Sequence, residues 1–117
     1  MKRVVFDHQA ARRGALRLKT TCRHPQPGRS EVLVRMLASP INPSDLMYIA
    51  GKYGLQPKAL PATPGFRGRG RCIEGTGGRL LGWLRHGKRV AVINDRIGNW
   101  AEYTVTKARQ VVPVPDA

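Results

Sequence analysis

Apolar and polar residues alternate along this chain in short runs, and glycine or proline closes most runs before a helical period can build up. The pattern predicts strands over Lys2–Phe6, Ala15–Thr21, Glu31–Ala38, Gly68–Glu74, Lys88–Asn94, Trp100–Val105 and Gln110–Val112. In the third of these, Val32, Val34 and Met36 share one face while Leu33, Arg35 and Leu37 share the other, so the strand is expected to be central. One segment breaks the β pattern. In Asn42-Pro43-Ser44-Asp45, Asn42 can cap a first turn, Pro43 suits the first helical position because it has no N–H to leave unpaired, and Asp45 complements the helix dipole. A short helix from Pro43 to Ala50 follows, ended by Gly51 in a left-handed conformation. Pro57, Pro61 and Pro64 make the stretch up to Gly65 an extended loop, and Asp95–Asn99 reads as a hairpin loop between two strands.

Composition narrows the functional classes. A chain of 117 residues fits one domain, spanning 1–117, and is too short for a cofactor domain and a substrate domain side by side. Lys and Arg number 21 against 7 acidic residues, a net charge of +14, so polyanions, phosphorylated cofactors and acidic partners enter as ligands to consider. Cys22 and Cys72 are too few for a disulfide framework or a four-cysteine metal site, and suit a reducing compartment. No uncharged stretch is long enough for a signal peptide or a membrane helix, so the expectation is a cytoplasmic protein without membrane association. The Arg-rich start imitates a transit peptide, but Val4, Val5 and Phe6 read as a first strand.

Most motifs have a plainer account than the chemistry they imitate. The run Gly82–Lys88 has the glycine and lysine spacing of a phosphate loop, yet Arg89 stands where Ser or Thr would bind magnesium, and a strand follows instead of a helix. No Gly-x-Gly-x-x-Gly follows a strand, so no dinucleotide-binding (Rossmann) fold is expected. Cys22 and His24 alternate on one strand face, but two ligands are not a metal site. Nucleophile elbows of the Gly-x-Ser-x-Gly type are absent. Arg67, Arg69 and Arg71, spaced by Gly68 and Gly70, point to one side of a strand and resemble segments that hold single-stranded nucleic acid. Arg12, Arg13, Arg17, Lys19 and Arg23 form a second basic cluster, and a solvated basic face is the plainer account of both. A basic module for nucleic acid or another polyanion is therefore the alternative function, against which stands an aromatic content of only 6%. Asn42, Ser44 and Tyr53 flank the capped helix and a glycine turn, where polar groups can point into a cleft; a cap and a turn residue are their plainer roles.

Taken together, GRSEVLVRMLASPINPSDLMYIAGKYGLQP, ATPGF, GKRVAVINDRIGNWAEYTV and VVPVPDA resemble the N-terminal, GroES-like domain of the medium-chain dehydrogenase/reductase superfamily. The likeness is to its zinc-independent quinone reductases and 2-enoyl thioester reductases, and it implies a mainly β, distorted and partly open barrel with one short helix. In zinc-containing members a catalytic cysteine occupies the place of Asn42 and a metal-binding histidine that of Phe66, so the resemblance implies no zinc. It further implies NADPH as cofactor, with Asn42 and Ser44 on the cofactor side, an enoyl thioester or quinone as substrate, and Tyr53 as proton donor to an enoyl thioester. A phenol, which ionises near pH 10, stays protonated at pH 7 and can donate to a developing enolate. Two departures stand out. Relatives carry an acidic residue at Arg67 and small or apolar ones after it, and the nucleotide-binding domain that follows this segment in them lies outside these 117 residues. The expectation is a domain inactive alone: either a truncated, inactive relative or half of an active site completed by a separate nucleotide-binding partner or a homo-oligomer.

Overall fold

The structure, a computed structural model, describes residues 1–9, 16–75, 87–94 and 97–115, and of residues 72–75 the backbone only. Strands β1 (Arg3–Phe6) and β2 (Leu16–Lys19) form an antiparallel pair. A second sheet holds β3 (Glu31–Ala38), β4 (Arg67–Gly75), β5 (Arg89–Ile93), β6 (Tyr103–Lys107) and β7 (Val111–Pro113) in the order β6-β3-β4-β5-β7. Helix α1 (Pro43–Ala50) connects β3 to the long loop before β4. The result is mainly β with one α-helix among the described residues, and the two sheets do not close into a full barrel.

β3 is central, as its two-faced pattern requires, with β4 on one side and β6 on the other. Val32, Val34, Val90, Val92, Ala108 and Val111 form one core cluster with Met36 packed against it. On the opposite face Leu33 is buried, whereas Arg35 and Leu37 reach solvent. Gly68 and Gly70 point inward along β4. A Cβ on Gly68 would meet the Met36 Cε at 2.5 Å, and one on Gly70 would run into the Arg35 carbonyl oxygen. Alternation along the strand therefore sends Arg67 and Arg69 outward into solvent, which removes the cost of burying guanidinium groups.

Helix and turn chemistry agree with the sequence. Asn42 is the N-cap and Pro43 opens the helix. Gly51, at φ 77°, ends it in a Schellman arrangement in which the Gly51 N–H donates to the Tyr48 carbonyl and the Lys52 N–H to that of Met47. Asp45, Tyr48 and Ile49, spaced three and four apart, form its buried face.

Three expectations are corrected. β5 and β6 are not neighbours in the sheet, so the segment between them is a crossover and not a hairpin loop. Trp100–Glu102 does not open β6, because β1 takes its backbone groups: the Val4 N–H donates to the Trp100 carbonyl at 2.9 Å and the Glu102 N–H to that of Lys2 at 3.0 Å. β2 ends at Lys19, so Cys22 and His24 share no strand face, and the His24 ring instead stacks on Tyr103 with centroids 4.3 Å apart. The phosphate-loop-like run falls largely outside the described residues, as do Arg12 and Arg13.

Candidate active site

Helix α1 packs through Tyr48 and Ile49 against Phe6 of β1, forming a second cluster joined by Tyr53, Ala62, Phe66 and Trp100. The frame of this region is Asp45, which the sequence reading assigned only to the helix dipole. It is fully buried; its Oδ2 accepts from the Asn42 N–H at 2.8 Å and its Oδ1 from the Phe66 N–H at 3.1 Å. One carboxylate thus ties the helix start to the loop entering β4. An acid three residues after Asn is the capping-box signature, so the first half of this role was visible in sequence; the bond to Phe66 was not.

Tyr53 follows the helix. Its partly buried ring lies 5.3 Å, centroid to centroid, from Phe66, and its phenolic oxygen bonds to no described residue. The turn that carries it is tethered by Gln56, whose Nε2 donates to the Tyr53 carbonyl at 2.6 Å and whose Oε1 accepts from Gln9 at 2.8 Å. Asn42 and Ser44 are partly exposed at the helix start. Phe66 therefore connects the two halves of the predicted site: its backbone shares Asp45 with Asn42, and its ring packs on Tyr53.

Beside this frame lies an open groove of about 450 Å³, lined by Arg3, Leu18, Met36, Ile41, Asn99 and Trp100 among others. Neither it nor a smaller cavity of about 210 Å³ beside Tyr48 is lined by Asn42, Ser44 or Tyr53. Asn99 is a residue that sequence reasoning missed. The Thr104 hydroxyl donates to the Gly98 carbonyl at 2.9 Å, so its oxygen accepts from Asn94 Nδ2 at 2.8 Å, and that amide also reaches Asn99 Oδ1 at 3.1 Å. The network fixes Asn99 Nδ2 as a buried donor without an acceptor among the described residues, and the Arg3 Nε is another. The groove itself presents mostly apolar walls, and neither buried donor reaches its surface. No local sequence pattern announces a network that spans three segments.

Burial pushes the Tyr48 phenol above its ordinary value of 10.0. The unfolded chain therefore loses this proton first, so the contribution of Tyr48 to stability is complete below pH 10 and is lost as pH rises through the folded-state value. Tyr48→Phe is expected to flatten the alkaline loss of stability, read from circular dichroism unfolding at increasing pH. Among the described residues no three His, Cys, Asp or Glu side chains gather as a metal-ion site, and no helix is long and apolar enough to cross a membrane.

Residues 28–116 match the alcohol dehydrogenase GroES-like domain. The chain belongs to this family. The mitochondrial enoyl-[acyl-carrier-protein] reductase of Xenopus tropicalis is 36% identical to this GroES-like chain over 112 residues, which is 96% of the chain and 31% of the relative. A Mesorhizobium loti protein assigned as an NADPH:quinone reductase superposes with a TM-score of 0.86 at 28% identity, covering 100% of this chain and 37% of that one. The quinone oxidoreductase of Pseudomonas syringae gives 0.84 at 25% identity, covering 99% and 34%. The GroES-like chain is thus a member of the medium-chain dehydrogenase/reductase superfamily of oxidoreductases, and it spans about a third of the length of these relatives.

Proposed function

We propose that residues 1–117 form the substrate-binding and proton-donating domain of a zinc-independent, NADPH-dependent reductase of enoyl thioesters, with quinones as the second substrate class. The observation that carries this reading is the Tyr53 phenol, packed by its ring against Phe66 and bonded to no described residue, on the same Asp45-held frame as Asn42. Where zinc enzymes of the family need a cysteine and a histidine, Asn42 and Phe66 offer no thiolate or imidazole, so the donor set does not fit zinc. A carboxamide and a hydroxyl at the partly exposed start of α1 do fit a neutral nicotinamide amide, and Asn42 and Ser44 are the residues of this chain that would hold it. When bound, NADPH supplies the hydride for the β carbon of the enoyl thioester. Tyr53 gives the proton to the α carbon, and the apolar walls of the groove suit the acyl portion of the substrate.

Turnover on this reading needs a nucleotide-binding domain, in the same polypeptide, in a separate partner or in a second copy. A titration of NADPH into the chain at low and high salt tests the cofactor side. Saturable binding that survives high salt supports a shaped site; binding that vanishes with salt reduces it to general anion attraction. In protein that oxidises NADPH with a trans-2-enoyl thioester, Tyr53→Phe is expected to lower kcat by about 10²- to 10³-fold while KM stays nearly constant. An unchanged kcat removes Tyr53 from the reaction. A cytoplasmic location belongs to the same proposal, and the mitochondrial naming of the Xenopus relative makes cell fractionation its direct check.

A further inference from the structure

The face of the five-stranded sheet opposite the Val34–Val90–Val92 core presents a row of arginines that the reductase reading does not use. The register sets Tyr103, Arg35, Arg71 and Arg89 opposite one another on β6, β3, β4 and β5. Arg69 and Arg67 continue the same face along β4. At about 4.8 Å per strand step the row spans about 14 Å across the sheet, and at about 3.4 Å per residue the β4 arginines cover a similar length along it.

Like charges directly opposite one another weaken an antiparallel pair, so Arg35 facing Arg71 is a cost built into the sheet. The side chains of Arg35, Arg67 and Arg69 are exposed and bond to no described residue, while Arg71 places its Nη1 2.7 Å from the Gly87 carbonyl. The described carboxylates are engaged elsewhere: Asp7 with Arg17, Glu31 with the Gly28 N–H, Asp45 with Asn42 and Phe66, and Glu102 with the Lys2 N–H. At the end of the row beside Arg35, the Tyr103 ring stacks on His24 with centroids 4.3 Å apart and planes 30° from parallel. Exposed Ile93 and Val112 lie on the same face, opposite Arg67 and Ala91.

We infer that this face binds single-stranded nucleic acid. The guanidinium forks match phosphate oxygens, and the His24–Tyr103 pair, with the guanidinium planes, offers surfaces on which unpaired bases stack. The stacked rings at the end of the row favour this occupant over an acidic polypeptide, which has no planar groups to place there. Pairing with β3 on one side and β5 on the other makes the Arg67–Arg71 segment a strand and not a flexible tail, so the backbone that carries these charges is ordered before binding.

The test is fluorescence anisotropy with a labelled oligothymidylate and the purified chain. If about three phosphates are neutralised, the slope of log affinity against log salt is near about −2. Arg35→Glu combined with Arg69→Glu is expected to weaken binding by at least about tenfold, and Tyr103→Leu by about fivefold, with unfolding midpoints kept as the check on folding. Lys52→Glu combined with Lys58→Glu changes net charge equally at exposed positions off this face, and is expected to stay within about threefold. Equal losses in the two charge-reversal pairs would overturn the proposal, because net charge alone would then explain binding. So would displacement of the oligonucleotide by equimolar polyglutamate with Tyr103→Leu binding as the parent does, which would assign the face to an acidic polypeptide.

Discussion

Replacing Asp45 by alanine is expected to lower the unfolding free energy by about 3 kcal/mol and the thermal midpoint by about 12 °C. The carboxylate is completely buried and accepts from two backbone N–H groups, those of Asn42 and Phe66. Its removal loses two charge-assisted bonds and leaves two partly buried donors unpaired, where each unpaired buried N–H costs about 1 to 3 kcal/mol. Asp45→Asn keeps one acceptor oxygen and should recover about half of the loss. Chemical denaturation of the three proteins checks the ranking. Equal stability of the alanine and asparagine variants would show that only one of the two bonds matters.

Gly70→Ala is expected to cost about 4 kcal/mol, enough to leave much of a marginally stable domain unfolded. The added Cβ meets backbone, the Arg35 carbonyl, together with the Val34 Cγ1 at 2.6 Å. Backbone of the central strand cannot move aside without breaking the pairing of β3 with β4. Gly54→Ala serves as the control, since nothing lies within 4 Å of its added Cβ and its change should stay within about 0.5 kcal/mol. Urea midpoints decide the matter, and a Gly70→Ala protein as stable as its parent would contradict the close approach of β3 to β4.

Local rules carried the reading of the elements a long way. Helix α1 and strand β3 fall at the expected residues because Asn-Pro-Ser-Asp, Gly51 and a two-faced apolar run each act through their immediate neighbours. Trp100–Glu102 was misread because its alternation is genuine but its backbone partner is β1, a choice made in three dimensions. The arginine–glycine run was legible as a strand, but the reason for its glycines, the pressure of Arg35 and Met36 against them, was not. In the candidate site, Asn42 and Tyr53 were indicated by resemblance, whereas the carboxylate and the ring that relate them belong to long-range contacts. The Asn94–Asn99–Thr104 network escaped for the same reason: each member is an ordinary polar residue until the chain returns to it.

The pairing of β1 also sets a timetable for synthesis. Lys2 donates its backbone N–H to Glu102, a residue 100 positions later, and Val4 waits for Trp100. At about 5 to 20 residues per second, a ribosome needs roughly 5 to 20 s to supply these partners. Within that interval Phe6 can already meet Tyr48, Ile49 and Phe66, but the Val4 end of the first strand leaves its hydrogen-bonding edge open to any neighbouring chain. β1 is thus among the last of the described strands to be fully paired, and the nascent chain carries an open strand edge until Glu102 has been added.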